Sequence, residues 1–132
     1  MPLPDALVAL LRAPSPCFIT TLMSDGSPQV TEVWVDTDGD HLVVNTWEGA
    51  LKLRNVRRDP RVAVAVADVD DVRSYFSVRG EVVEITTEGA NEHINALSHK
   101  YLGTDYPGFG PDVQRVKLVI EARKIGGVAA RG

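Results

Sequence analysis

Apolar and polar positions alternate along most of this chain. Cys17-Phe-Ile-Thr-Thr-Leu-Met23 and Gln29-Val-Thr-Glu-Val-Trp-Val35 read as two strands, joined by a tight turn at Ser24-Asp-Gly-Ser27. In the second strand the alternation puts Val30, Glu32 and Trp34 on one face and Gln29, Thr31, Val33 and Val35 on the other. A second turn at Asp36-Thr-Asp-Gly-Asp40 leads into a strand from His41 to Thr46. Arg61-Val-Ala-Val-Ala-Val-Ala67 is a further strand, whose alternating large and small side chains suit a tightly packed barrel interior or a backbone approached by a ligand. After an acidic turn at Asp68, Asp70 and Asp71, Val72 to Val78 resumes as strand, Arg79-Gly80 marks a bend or bulge, and Glu81 to Thr86 continues. Val113 to Ala122 is the last strand, and the small residues after Gly126-Gly127 are expected to be mobile.

Helical spacing replaces the alternation in three places. Leu7, Leu10 and Leu11 share a face of a helix over Pro4 to Arg12, ended by Pro14 and Pro16. A short helix is predicted from Ala50 to Arg58, stopped by Asp59-Pro60 because a proline disfavours helix in the residue before it. Ala90, Ile94, Leu97 and Tyr101 mark a third, from Thr87 or Glu88 to Leu102, closed by Gly103. About six short strands, mostly joined by tight turns and without a βαβ repeat, predict a mainly β, antiparallel barrel with about three helices.

At 132 residues the chain is expected to form a single domain over 1–132 with a real core. With 18 acids against 14 bases it carries a net charge of -4, which speaks against a general nucleic-acid binder. The single cysteine, Cys17, lies in an apolar strand and reads as a core residue, so a reducing, cytoplasmic setting is expected. The N-terminal apolar run to Leu11 is too short for a membrane span, and a signal peptide is not expected there.

Charge changes the picture locally. Five of the 14 Lys and Arg fall between Lys52 and Arg61, against one acid, Asp59. The predicted helix opens directly off the strand ending at Thr46, through Trp47-Glu-Gly49, so its first turn offers free N–H groups, the positive end of the helix dipole and a lysine. That combination can hold a phosphate, and a solvated, salt-bridged basic face is the plainer reading of the same residues. The chain offers no Ser-His-Asp order, no Cys/His metal spacing, no GxGxxG and no P-loop, and no metal site is expected. His41, His93 and His99 read as surface or satisfied residues. Without visible catalytic side chains, the protein is either a binder or an enzyme whose cofactor carries the chemistry.

Pro16-Cys-Phe-Ile-Thr-Thr-Leu22, Asp25-Gly-Ser-Pro-Gln-Val30 and above all Lys52-Leu-Arg-Asn-Val-Arg-Arg-Asp-Pro-Arg-Val62 resemble the flavin- and deazaflavin-dependent oxidoreductases of the pyridoxamine 5′-phosphate oxidase-like, split β-barrel group. The wording of the basic segment looks most like the branch using coenzyme F420, with FMN as the alternative. The resemblance implies a six-stranded antiparallel split β-barrel that forms a homodimer, with the cofactor in a groove at the subunit interface. It implies that the segment from Thr46 to Lys52 holds the phosphate: a hydroxyl from Thr46, a charge from Lys52 and N–H groups from Ala50 and Leu51, with Asn45 and Trp47 as further cofactor-binding candidates. Glu32 and Val33 would flank the ring and Tyr75 would sit at its edge. Trp34, Trp47, Tyr106 and Phe109 are candidates for an apolar shelf under a small-molecule substrate, and no catalytic residue is named. The related oxidases usually carry Ser-Arg-Lys where Ala50-Leu51-Lys52 stands here, and a C-terminal Trp- and Arg-bearing segment that is missing. Pyridoxamine phosphate is therefore not the expected substrate. The implied activity is hydride transfer from reduced F420 to an unsaturated organic substrate. The rivals are an FMN-dependent reductase or oxidase, a non-catalytic cofactor-binding module and a barrel binding single-stranded nucleic acid.

Overall fold

In a computed structural model of the chain, residues 1–108 and 112–131 are described. The elements run α1 (Asp5–Arg12), β1 (Cys17–Leu22), β2 (Pro28–Glu32), β3 (Val35–Thr37), β4 (Leu42–Trp47), α2 (Leu51–Arg58), β5 (Arg61–Ala67), β6 (Tyr75–Thr86), α3 (Ala90–Leu102) and β7 (Arg115–Gly126). The strands form one antiparallel sheet in the order β2-β1-β5-β6-β7-β4-β3.

The sheet has seven strands where about six are predicted, because the expected strand from Gln29 to Val35 is two. Thr31 pairs with Ile19 of β1, whereas Val35 pairs with Val44 of β4 at the opposite edge of the sheet. Only Val33 and Trp34 separate these edge strands, so the sheet has to curl until its edges come close, and it forms a half-barrel. The alternation continues through the break: Val33 and Val35 are buried, and Val30 and Glu32 are exposed. The hydrophobic pattern therefore carries no trace of the change of partner.

The concave side is the core. Val62, Val64 and Val66 of β5, Phe76 and Val78 of β6, Leu118 and Ile120 of β7 and Leu42 and Val44 of β4 pack there with Cys17 and Ile19. Leu7 and Leu11 of α1 and Leu53 and Val56 of α2 belong to the same buried cluster. The alanine face of β5 points outward rather than into the barrel; Ala65 is exposed, since the larger valines gain more from burial.

Gly80 marks the expected irregularity in β6, where the register with β7 shifts between Arg79 and Gly80. A Cβ there would stand 2.2 Å from the carbonyl oxygen of Glu121, so only glycine allows the two backbones this approach. β6 begins at Tyr75 rather than Val72, because the preceding segment is taken up by a turn in which Ser74 N–H donates to Asp71 O. β7 begins later than expected, at Arg115, and continues to Gly126 through pairing with β6 as far as Ser77. The chain beyond Gly127 forms a 3-10 helix, Val128–Arg131, against β6 instead of a loose tail. No helix among the described residues is long and apolar enough to cross a membrane.

Candidate functional site

The break between β2 and β3 opens into a cleft of about 360 Å³. Glu32, Val33 and Trp34 form one wall, and Asn45, Thr46 and Trp47 at the end of β4 form the floor, with Lys52 beside them. Ile94 and Leu97 of α3, with Tyr106 and Arg115, form the far wall. Eight of the residues picked out from the sequence thus meet here: Glu32, Val33, Trp34, Asn45, Thr46, Trp47, Lys52 and Tyr106. Ala50, Leu51 and Tyr75 do not line the cleft. Ala50 is buried in the core, and Tyr75 stands on the outer face of the sheet at the start of β6. Phe109 lies outside the described residues.

The floor is built locally. Trp47, Glu48, Gly49 and Ala50 make a turn in which the Ala50 N–H donates to the Trp47 carbonyl at 3.0 Å. That N–H is consequently not offered to a ligand, contrary to the expectation for Ala50. The next three, on Leu51, Lys52 and Leu53, open α2 and have no acceptor within the helix. Ala50 supplies no side-chain cap and the first turn has no acid. The Thr46 hydroxyl is buried and has no hydrogen-bond partner among the described residues, which for a buried polar atom is costly unless a ligand or water completes it.

Lys52 is the member of the basic run that lines this cleft. The others are engaged elsewhere where contacts are seen. Arg57 pairs with Glu48 at 2.6 Å, Arg61 pairs with Asp59 at 2.8 Å, and Arg58 donates to the Leu22 carbonyl and to Asn55 Oδ1. For Arg57 and Arg61 the salt-bridged surface reading is the right one. Lys52 forms no ion pair among the described residues, and burial, then the nearby charge of Arg115, lowers its pKa. Glu32, the acid of the lining, pairs with neither cation. The cleft therefore holds positive charge, an uncapped helix start and an unsatisfied hydroxyl, which together suit a phosphate.

The Asn45 side chain is occupied differently from what its candidacy implies. Its Nδ2 donates to the Ala90 carbonyl at 2.9 Å and to His93 Nδ1 at 3.0 Å, and its Oδ1 accepts from Arg115 Nε at 2.8 Å. These bonds tie β4 to α3 and β7, so Asn45 supports the cleft by holding its walls. His93, read from sequence as a surface or satisfied residue, is the centre of that support. Burial holds its pKa down to about 4, so the ring is neutral and accepts at Nδ1. The aromatic wall is fixed by Trp34, which stacks on Tyr101 at 5.4 Å between ring centroids and meets the edge of Tyr106 at 6.2 Å.

Arg115 carries no signal in the sequence, where it is one base at a strand start. It reaches the site because β7 pairs with β4 so that Arg115 lies opposite Trp47. His41 and His99 form outlying pairs with Asp38 and Asp105. Asp68 and Asp71 serve the β5–β6 turn, accepting from Asp70 N–H and from the Arg73 backbone and side chain.

Comparison with known proteins agrees with this architecture. The sequence pattern of the family described as pyridoxamine 5′-phosphate oxidase matches residues 3–128. The fold is similar to that of a protein described as an F420 reductase, with a TM-score of 0.83 and 28% identity, covering 94% of this chain and 98% of that one. It is also similar to the conserved hypothetical protein Rv2991 from Mycobacterium tuberculosis, with a TM-score of 0.69 and 25% identity over 93% of this chain and 82% of that one. A putative pyridoxamine 5′-phosphate oxidase from Listeria innocua shares the fold at a TM-score of 0.70 and 20% identity, covering 95% of this chain and 97% of that one.

Proposed function

Since this chain belongs to the pyridoxamine 5′-phosphate oxidase family, we propose that it is an F420-dependent oxidoreductase that moves a hydride from the reduced deazaflavin to an unsaturated organic substrate. The observation that carries the reading is the unpartnered Thr46 hydroxyl beside the unpaired Lys52 at the uncapped start of α2. The similarity to an F420 reductase over nearly the whole of both chains favours deazaflavin over FMN.

In this reading the Thr46 hydroxyl, the Lys52 ammonium and the free backbone N–H of Lys52 hold the phosphate. Glu32 and Val33 border the ring, while Trp34, locked against Tyr101, and Trp47 shelter the substrate from water. Bound F420 supplies hydride chemistry at C5 of its deazaflavin. The protein supplies binding and orientation.

The homodimer belongs to the same proposal. Val30 and Glu32 of β2, Phe18 and Thr20 of β1, Ala63 and Ala65 of β5 and Tyr75 and Ser77 of β6 share the outer face of the sheet by register. Phe18, Val30 and Tyr75 are exposed there. Glu32 belongs both to this face and to the cleft, so a second copy on the face would adjoin the cofactor. Tyr75 then edges the ring only as a residue of the second copy.

Titration of the purified protein with F420 and with FMN, followed by fluorescence quenching, tests the reading. F420 is expected to bind more tightly, and Lys52→Ala to weaken it about tenfold or more, the order expected for a charge-assisted contact. Preference for FMN would move the protein to the flavin-dependent branch. Binding of neither would overturn the assignment.

A further inference from the structure

We propose that Arg115 is a second anion-binding residue of the cleft, and that the site takes a ligand with two negative charges close together, either on one phosphate or on a phosphate and a neighbouring oxyanion.

A guanidinium keeps its charge at any ordinary pH and is costly to bury without an opposing charge. Arg115 is 7% exposed and lines the cleft, yet no carboxylate among the described residues lies within ion-pair distance of it. Its partners are neutral. Nε donates to Asn45 Oδ1 at 2.8 Å, the guanidinium carbon lies 5.3 Å from the centroid of the Tyr106 ring, and Nη1 makes a long 3.5 Å contact with the Tyr106 hydroxyl. Nη2 has no hydrogen-bond partner among the described residues.

The guanidinium is also held in place. Asn45 cannot turn its oxygen away from Arg115 without losing its donations to the Ala90 carbonyl and to His93 Nδ1. The His93 acceptor fixes the ring proton on Nε2, which is enclosed without a partner. The relay from His93 through Asn45 to Arg115 therefore presets the direction of a planar fork, the arrangement that suits oxyanion recognition. Lys52 shares the cleft and feels the like charge of Arg115. An anion between them would relieve both. The proposal rests on the reading above for the identity of the ligand. The demand for an anion rests on the cleft itself.

The experiment uses inorganic pyrophosphate as the probe, with chloride as a monoanion control, on the unmutated protein and on Arg115→Gln and Arg115→Lys. Calorimetry is expected to show pyrophosphate binding that Arg115→Gln weakens about 10- to 100-fold. Arg115→Lys should recover only part, because an ammonium cannot keep both the Asn45 contact and a two-point grip. In the unmutated protein the Arg115 Nε–H resonance should shift as pyrophosphate is added, a readout that stands even where a variant fails to fold. Unchanged binding in Arg115→Gln, an unmoved resonance, or no pyrophosphate binding by the unmutated protein would each overturn the proposal. F420 or FMN binding that needs Lys52 but ignores Arg115 would sink this inference and leave the cofactor reading standing. Pyrophosphate binding that needs Arg115, without affinity for either cofactor, would do the reverse.

Discussion

At the scale of single residues, His93 makes stability depend on pH. Its pKa in the folded protein is about 4, below the ordinary 6.5, because burial disfavours the charged ring. Between those values the unfolded chain binds more protons at this position than the folded one. Stability from His93 is therefore fully present above pH 6.5 and is lost as pH falls towards 4. Allowing for its residual contact with solvent, the effect is on the order of 2 kcal/mol. Urea midpoints of the native protein and of His93→Gln, measured at pH 7 and pH 4.5, should diverge in slope, with the native protein losing more on acidification. Parallel pH dependences would show that His93 does not titrate in this window. The carboxylates are common to both proteins and cancel. Lys52 was legible from the sequence because a strand, a turn and a helix start follow one another within a few residues, whereas Thr46 was named only through the family resemblance. Arg115 was not legible, since 70 residues separate it from the Asn45 that orients it.

At the scale of elements, α2 depends on Asn55. The asparagine is buried, donates from Nδ2 to Thr21 Oγ1 at 3.0 Å and contacts Met23 Sδ at 3.4 Å, and accepts from Arg58 through Oδ1. The helix is eight residues long, too short to persist alone, so packing and these bonds set its position. Asn55 belongs to the Lys-x-x-Asn wording of the basic segment, and its bonds to β1 give that wording a physical reason. Asn55→Ala should lower stability by about 1–3 kcal/mol, since it removes one hydrogen bond from each of Thr21 and Arg58 in a buried setting. The decisive measurement is a chemical denaturation curve, and a loss below a few tenths of a kcal/mol would show that the helix is held by its apolar face alone. The expected end of α2 at Arg58 and the close of α3 at Gly103, whose N–H donates to Ser98 and His99 carbonyls, both hold. These stops are local: proline and a positive-φ glycine act on their own neighbours. The beginning of β6 was misplaced because the apolar Val72 lies within a turn that only its own hydrogen bonds reveal.

At the scale of the whole molecule, the outer face with Phe18, Val30 and Tyr75 exposed bears on assembly. If a second copy covers it, Phe18→Asp should convert a dimer to a monomer in sedimentation velocity without loss of helical and strand signal by circular dichroism. Cofactor affinity should fall with it, because Glu32 joins this face to the cleft. A monomeric native protein, or a variant that still dimerises, would remove this face from consideration.

The sequence by itself determined the character of the segments. In α1, β1, β5 and the first half of β6 the period-two and helical spacings name the buried face, and prolines and glycines mark where elements stop, because these are properties of neighbouring residues. It also brought Thr46 and Lys52 together across one short turn. Only the tertiary structure decided that β2 and β3 part at Val33 and Trp34 to lie on opposite edges of the sheet, and that β7 lies beside β4. An alternating pattern states which side of a strand is apolar and is silent about which strand comes next to it. The cleft depends on that second kind of information: its wall at Trp34 is the break itself, and its second cation, Arg115, arrives through the register of β7.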